Sequence, residues 1–324
     1  MKLSVVILNW NGKKDTLACL DSLQKTQAPP FSIIVVDNGS QDDSVAAISQ
    51  EFPSATLLQT GKNLGYAGGN NVGIAHALKQ GADLVLLLNN DTLVDRHFIA
   101  AYLHQASEEK KAGILGAYPL RMTHPDKLDH LGGKWNTETA TFDLVGLEAP
   151  QGFRTDEPLD YVCGCSILIR REVFEAIGML EPTFFLFWEE ADFCMRAKKA
   201  GFGIDICYEA MLLHKVSASF VGGTPHKTYF WWRGRCLWIE RNCSPEEKQR
   251  LYRKIILPQQ RHLLKLRLLK NMHLFLESLL SNKDVSQKKA KLLQYRAALE
   301  GYRDFRKACF GSGPSWLFNK RVNS

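Results

Sequence analysis

The chain has 324 residues, of which 45% are hydrophobic and 23% charged, a balance that excludes a disordered polypeptide and suits one large domain or two ordinary ones. The net charge of +7 is unevenly spread: residues 245–324 carry 18 Lys and Arg against 6 Asp and Glu, a net of +12, and residues 1–244 carry a net of −5. No run approaches the ~20 apolar residues of a membrane span, and no secretory leader precedes Asn9-Trp10-Asn11, so the body is expected in the cytoplasm with its thiols reduced.

Leu3 to Leu8 reads as an apolar, β-branched strand. Lys13 to Lys25 has helical spacing, with Leu17, Leu20 and Leu23 on one face, and Pro29-Pro30 breaks it. A second buried strand, Phe31 to Val36, ends at Asp37-Asn38-Gly39-Ser40. Ser44 to Glu51 is a short helix and Ala55 to Leu58 a third strand. Gly61 to Gly69 reads as a glycine-rich loop feeding a helix from Asn70 to Gln80, and Leu84 to Leu88 as a fully buried parallel strand that runs into Asn89-Asn90-Asp91. Asp95 to Ser107 is helical and Gly113 to Pro119 a strand. Repeated strand–helix units imply an α/β fold with a mostly parallel sheet, in which ligands sit beyond the carboxyl ends of the strands. From about Arg121 to Asp160 the pattern weakens into irregular hairpins and loops. Order returns with a strand at Tyr161 to Arg170, a helix from Arg171 to Ile177 closed by Gly178, a helix from Glu190 to Ala200 closed by Gly201, and a strand from Phe202 to Tyr208. After Pro245 the chain becomes Leu/Lys/Arg-rich and helical, which sets an expected boundary near residue 245.

Two acidic clusters and a histidine carry the chemistry. Asp91 follows the fourth strand; Glu189, Glu190 and Asp192 follow an aromatic run ending in Trp188; His214 lies downstream. A carboxylate and a neutral imidazole, with ligand oxygens, can hold Mg²⁺ or Mn²⁺, and a separate metal-free carboxylate can act as a general base. Asp37 can accept hydrogen bonds from a nucleobase or ribose, or cap a helix. The loop Asn63 to Asn71 opens a helix N-terminus that favours anions, but it is not the G-x-G-x-x-G dinucleotide fingerprint. Cys163 and Cys165 form a C-x-C pair without a second pair at metal-ligand spacing and read as small core residues. The run Tyr229-Phe230-Trp231-Trp232 reads as core or as a sugar-stacking surface, and Arg233 and Arg235 follow it.

The segments Val6 to Asn11, Val35 to Ser40, Asn63 to Asn71, Leu86 to Thr92 and Phe184 to Arg196 together resemble the inverting glycosyltransferases of family 2, in order and spacing, over residues 1–242, and most strongly the bacterial rhamnosyltransferase-like branch. The resemblance implies a GT-A-type fold, with a nucleotide-binding half at 1–120, an acceptor-binding half at 121–244 and a basic helical tail at 245–324. It implies donor contacts from Asn9, Asp37, Asn63, Gly65, Asn71, Asn89, Asn90, Asp91 and Arg233. Asn89-Asn90-Asp91 resembles the D-x-D metal motif with Asn89 in place of the first aspartate, which leaves Asp91 and His214 as the metal ligands. Glu190 takes the position of the base, with Trp188, Glu189 and Asp192 toward the acceptor. The implied reaction moves a sugar from dTDP-rhamnose or a UDP-hexose to a hydroxyl of a glycan or glycolipid in bacterial surface polysaccharide synthesis.

The tail places Leu263, Leu264, Leu266, Leu268, Leu269, Met272, Leu276 and Leu279 among Arg261, Lys265, Arg267 and Lys270. Such a basic amphipathic helix suits an anionic membrane on the cytoplasmic face, or packing on the catalytic body or on a second copy in a homodimer. No nucleic-acid-binding module accompanies the charge. The competing reading of the whole chain is a non-catalytic nucleotide-sugar-binding scaffold that recruits a partner enzyme.

Overall fold

Leu3–Asn9 forms the first strand, β1, and is buried along almost its whole length, as an apolar run between two helical layers should be. A computed structural model describes residues 1–215, 224–280 and 286–318, with side chains at 272–280 and 286–288 outside that description. In chain order, β1 is followed by α1 (Lys13–Gln24), β2 (Ser32–Asp37), α2 (Ser44–Glu51), β3 (Thr56–Gln59), α3 (Gly65–Lys79), β4 (Leu84–Asn89), β5 (Thr92–Val94), α4 (Phe98–Glu108) and β6 (Ala112–Arg121). Next come β7 (His124–Leu128), β8 (Gly132–Asn136), β9 (Thr141–Val145), β10 (Tyr161–Val162), β11 (Ser166–Arg170), α5 (Arg171–Ile177), α6 (Glu189–Lys199) and β12 (Gly203–His214). Helices α7 (Pro225–Asn242), α8 (Pro245–Leu251), α9 (Leu257–Leu280) and α10 (Ser286–Arg306) complete the elements.

Among the described residues, nine strands join in one sheet of order β3-β2-β1-β4-β11-β6-β12-β5, with β7 on β6. Strands β3, β2, β1, β4, β6 and β12 run one way; β11, β5 and β7 run against them. The register matters for function. Asn9 lies opposite Asp37, and Leu8 opposite Asn89, so the ends of β1, β2 and β4 open at one level. Strand β11 enters antiparallel between β4 and β6, which brings its leading residues, Cys163 to Cys165, to the carboxyl end of β4. The Asn89 N–H donates to the Cys165 carbonyl at 2.9 Å.

Helix α3 begins at Gly65, five residues ahead of the helix expected from Asn70. Gly65, at a φ of 77°, opens the helix, and Gly69 of the expected loop, with Gly73 of the expected helix, allows α3 to pack closely on the sheet. A Cβ at Gly69 would meet Leu8 Cδ1 at 2.4 Å, and one at Gly73 would meet Val6 Cγ1 at 2.3 Å. Strand β12 also runs past the expected end at Tyr208 to His214, through a register shift between Ile206 and Met211. The weakly patterned segment folds into β7, β8 and β9, and β10-β8-β9 make a small three-stranded sheet.

The chain divides into two compact units: residues 1–135, 142–182 and 189–216, and residues 136–141, 183–188 and 217–324. The first contains the large sheet. The second contains α7 together with the tail helices, so the division falls ahead of α7 rather than at residue 245. Within that unit α10 packs on α7. Gly301 lies so close that a Cβ would meet the Tyr229 carbonyl at 2.4 Å, and the Tyr229 hydroxyl donates to Asp304 at 2.8 Å. Part of the basic tail is therefore structural. Leu264, Leu268 and Leu269 of α9 are exposed, while Met272, Leu276 and Leu279 of the expected stripe lie outside the described side chains.

Candidate active site

Asp37 ends β2 with its carboxylate held in place. It accepts from Asn9 Nδ2 at 2.9 Å and from the Ser40 N–H at 3.0 Å. Asn9 is fully buried and is itself fixed, since its Oδ1 accepts from Thr16 Oγ at 2.8 Å, and Thr16 in turn accepts from Asn90 Nδ2 at 2.9 Å. A chain of three side chains thus runs from the end of β4 to Asp37. Asn9 and Asn90 act as positioning groups in it, and Thr16 is a member that sequence reasoning passed over. Gly12 makes room for it, because a Cβ there would meet Asn90 Nδ2 at 2.5 Å.

Asn63 accepts from the Gly65 N–H at 2.8 Å and from Asn38 Nδ2 at 3.1 Å, and Asn38 Nδ2 also donates to the Gly65 carbonyl. Buried Asn38 therefore pins the turn into α3, a role with no signal in the sequence beyond its place after Asp37. Asn71 is turned away from this turn. It clamps the Leu180 backbone, donating to its carbonyl at 2.8 Å and accepting from its N–H at 3.1 Å. Asn89 accepts from the Tyr66 hydroxyl at 3.1 Å, and that hydroxyl lies 3.0 Å from the Gly164 carbonyl.

Asp91 and His214 are brought together by β12 pairing with β5, which sets His214 opposite Thr92. His214 Nε2 lies 3.5 Å from Asp91 Oδ1, and His214 Nδ1 lies 2.9 Å from Asp129 Oδ2. Burial opposes charge on this imidazole, but the Asp129 and Asp91 carboxylates overcome it and lift it to about 10. Asp129 is held well below the usual carboxylate range, because bonds to His130 and His214 outweigh its burial. The donor set fits a divalent cation. Asp129 anchors Nδ1 and leaves Nε2 aimed beside Asp91, the carboxylate–histidine arrangement that fixes a metal-ligating ring, and a metal would replace the Nε2 proton.

Glu189 and Glu190 open α6. Among the described residues, Glu189 Oε2 and Glu190 Oε2 are buried atoms without a hydrogen-bond partner. Burial pushes the Glu190 carboxyl up to about 7, its own backbone N–H pulling the other way. Burial and the neighbouring Glu190 hold Glu189 well above the ordinary range. Glu190 lies over Gly164, where a Cβ would approach its Oε1 at 3.4 Å. Asp192 is fully buried and pairs with Arg196 Nε at 2.9 Å; Arg196 donates onward to the Ile177 and Met179 carbonyls. Asp192 therefore braces the helix within the sheet-bearing unit.

Two expected site residues belong to the helical unit. Trp188 is buried against Trp231 and Trp238, with ring centroids at 5.8 and 6.2 Å. Arg233, expected at the diphosphate, is fully buried. Its guanidinium donates to the Gly311 carbonyl at 2.7 Å and the Phe184 carbonyl at 3.3 Å and lies over the Tyr229 and Phe230 rings. In this structure the paired donors of Arg233 serve the helical core. An arginine after an aromatic run has the same local sequence in either role.

A family model described as glycosyl transferase family 2 matches residues 4–178, more than half of the chain and the whole run from β1 to Gly178. The chain belongs to glycosyl transferase family 2. The N-acetylglucosaminyl-diphospho-decaprenol L-rhamnosyltransferase of Mycobacterium tuberculosis is 27% identical over 303 residues, covering 82% of this chain and 97% of the relative. The low-salt glycan biosynthesis hexosyltransferase Agl10 of Haloferax volcanii is 28% identical over 219 residues, covering 65% of this chain and 66% of the relative. Among solved structures, the mannosyltransferase PcManGT from Pyrobaculum calidifontis, in complex with GDP-Man and Mn²⁺, superposes with a TM-score of 0.55 at 16% identity over 95% of this chain and 83% of that one. That likeness bears on the fold, which is GT-A-type. This family 2 glycosyltransferase is accordingly an enzyme, with the mixed α/β sheet and helical C-terminal part expected of it.

The glycosyltransferase also has residues beside the site that sequence reasoning missed. Asp129, His130 and Cys163 each bring one ligand atom into a group within 4.8 Å of one another. Asp129 and His130 lie in the weakly patterned segment, and pairing of β10 on β8 brings them to the C-x-C pair.

Proposed function

We propose that this glycosyltransferase works by inversion, with a nucleoside-diphosphate sugar as donor and an acceptor hydroxyl as nucleophile. The observation that carries the reading is the buried, unpartnered Glu190 Oε2 on a carboxyl poised near neutrality, in the same unit as the Asp91–His214 pair. Asp37, held by Asn9, accepts from the uridine or thymidine part of the donor. Glu190 takes the hydroxyl proton as the acceptor oxygen bonds to the anomeric carbon. The bond from that carbon to the diphosphate breaks on the opposite side, and the diphosphate leaves with the electron pair. A divalent cation held by Asp91 and His214, Mn²⁺ or Mg²⁺, would supply the positive charge that stabilises the leaving group. The rhamnosyltransferase and hexosyltransferase relatives support a rhamnose or hexose as the sugar moved, here taken from dTDP-rhamnose or a UDP-hexose, and a lipid-linked acceptor.

The test is a panel of nucleotide sugars offered to the full chain with and without Mn²⁺, scored for release of the nucleoside diphosphate. dTDP-rhamnose or a UDP-hexose should release its nucleoside diphosphate slowly by hydrolysis with Mn²⁺, and faster by transfer when a lipid-linked acceptor is added. Binding without release for every donor would favour the scaffold reading.

The exposed Leu264, Leu268 and Leu269 of α9, interleaved with Arg261, Lys265 and Arg267, support a place on the anionic cytoplasmic face of a membrane. No helix among the described residues is long and apolar enough to cross one. Sedimentation with anionic vesicles should exceed that with neutral vesicles, fall as salt rises because screening acts within ~8 Å at physiological ionic strength, and weaken in Leu268→Glu. Equal sedimentation with both vesicle types would remove the membrane role.

A further inference from the structure

The sheet brings together one group of ligand atoms that the transfer reaction leaves unused. Asp129 Oδ1 lies 3.4 Å from His130 Nδ1, His130 Nδ1 lies 3.8 Å from Cys163 Sγ, and the three atoms are all within 4.8 Å of one another. Cys165 Sγ stands 3.5 Å from Cys163 Sγ. A tetrahedral zinc ion, with bonds of roughly 2.0–2.3 Å, separates its ligands by about 3.3–3.8 Å. The observed O–N and N–S spacings fall within that range before any ion draws the atoms together. The surroundings suit a thiolate. Asp129 and Cys163 are buried, and although burial raises the Cys163 thiol, its bond with Cys165 and the His130 imidazole bring it well below its ordinary value.

The geometry points to a second cation site, formed by Asp129, His130 and Cys163, for a thiophilic divalent ion such as Zn²⁺. It differs in chemistry from the oxygen-and-imidazole pair Asp91–His214, since a thiolate ligand selects zinc-like ions over Mg²⁺ and Mn²⁺. The ion would be bound by the Cys163 thiolate and by His130 Nδ1, whose proton it would displace to solvent. The two sites meet at one carboxylate. Asp129 Oδ1 faces His130, while Asp129 Oδ2 holds His214 Nδ1 at 2.9 Å. An ion at the new site would therefore bear on the group that orients His214. It would also sit one residue from Gly164, over which Glu190 lies.

The probe is Co²⁺, which takes zinc sites and gives a thiolate-to-metal charge-transfer absorption that oxygen and nitrogen ligands do not. Titrating Co²⁺ into the full chain in saturating Mg²⁺ should produce that band with an endpoint at one equivalent, and one equivalent of Zn²⁺ should bleach it. The band should persist in Asp91→Ala, which removes the catalytic-metal carboxylate, and should be lost in Cys163→Ser. His130→Asn, at a more open position, should reduce Co²⁺ affinity at least ~10-fold and serves if Cys163→Ser does not fold. Absence of the band in the native protein would overturn the proposal, as would its survival in Cys163→Ser. Loss of the band in folded Asp91→Ala would reassign the ion to the catalytic pair and likewise overturn it. None of these readouts depends on transfer activity, so failure of the donor assay leaves this test standing.

Discussion

Glu190→Gln is expected to lower turnover by at least ~10²-fold with donor affinity close to native, since a positioned general base typically contributes 10²–10⁴-fold. The substitution keeps the shape of the side chain and removes only its capacity to take the acceptor proton. The base acts ionised, and its carboxyl is raised to about 7. In the native enzyme kcat/KM should therefore fall as pH drops below about 7 and level off above it, and the residual activity of Glu190→Gln should lack that limb. The same raised value has a consequence for stability. A carboxyl with its folded pKa above its unfolded one contributes stability below the unfolded value and loses it as pH rises through the folded value. At neutral pH the Gln variant should accordingly be more stable than native by roughly 1–3 kcal/mol, at about 1.4 kcal/mol for each pKa unit relieved. Initial rates against pH, with thermal unfolding of both proteins, check the two effects together. Near-native turnover in Glu190→Gln with a dead Asp192→Asn would put the base on the wrong carboxylate.

The second large effect concerns the metal pair. Asp91→Ala and His214→Ala should each abolish stimulation by Mn²⁺ and weaken nucleoside diphosphate binding, with turnover falling ~10²-fold or more, as expected when several kcal/mol of charge stabilisation is lost. Asp129→Asn should have a smaller effect, about 10–100-fold on metal affinity, because it removes the carboxylate that fixes the His214 ring rather than a ligand. Rates measured across a Mn²⁺ titration separate the three variants. Full native activity in excess chelator would contradict the assignment of both ligands.

Much of the parallel half of the sheet was legible, because β1, β2 and β4 are near-continuous apolar runs that end in polar residues, and that ending marks the ligand side. Asp37 and Asp91 could be named for the same reason, and the acidic opening of α6 through the family resemblance. What could not be read depends on long-range pairing. The start of α3 was hidden because Gly65, Gly68 and Gly69 look like a loop locally, and the close approach of Gly69 to Leu8 appears only once the helix lies on the sheet. The partner of His214 is Asp129, 85 residues away, in a segment with neither helical nor strand period. The role of Arg233 could not be read, because an arginine beside aromatics suits phosphate binding and core packing equally. Gly311 and Phe184, which claim its donors, are distant in sequence. The Cys163-Gly164-Cys165 pair could be read only as core, because only the insertion of β11 beside β4 brings it next to Asp129 and Glu190.

The central claim divides labour between two acidic clusters: Asp91 with His214 for the donor diphosphate, and Glu190 for the acceptor proton. Calorimetric titration of the donor's nucleoside diphosphate in Mn²⁺ into Glu190→Gln and Asp91→Ala, side by side with the native chain, tests it most directly. The account predicts native-like binding in Glu190→Gln and binding weakened at least ~10-fold in Asp91→Ala. Equal loss in both variants, or binding unaltered in Asp91→Ala, would contradict it.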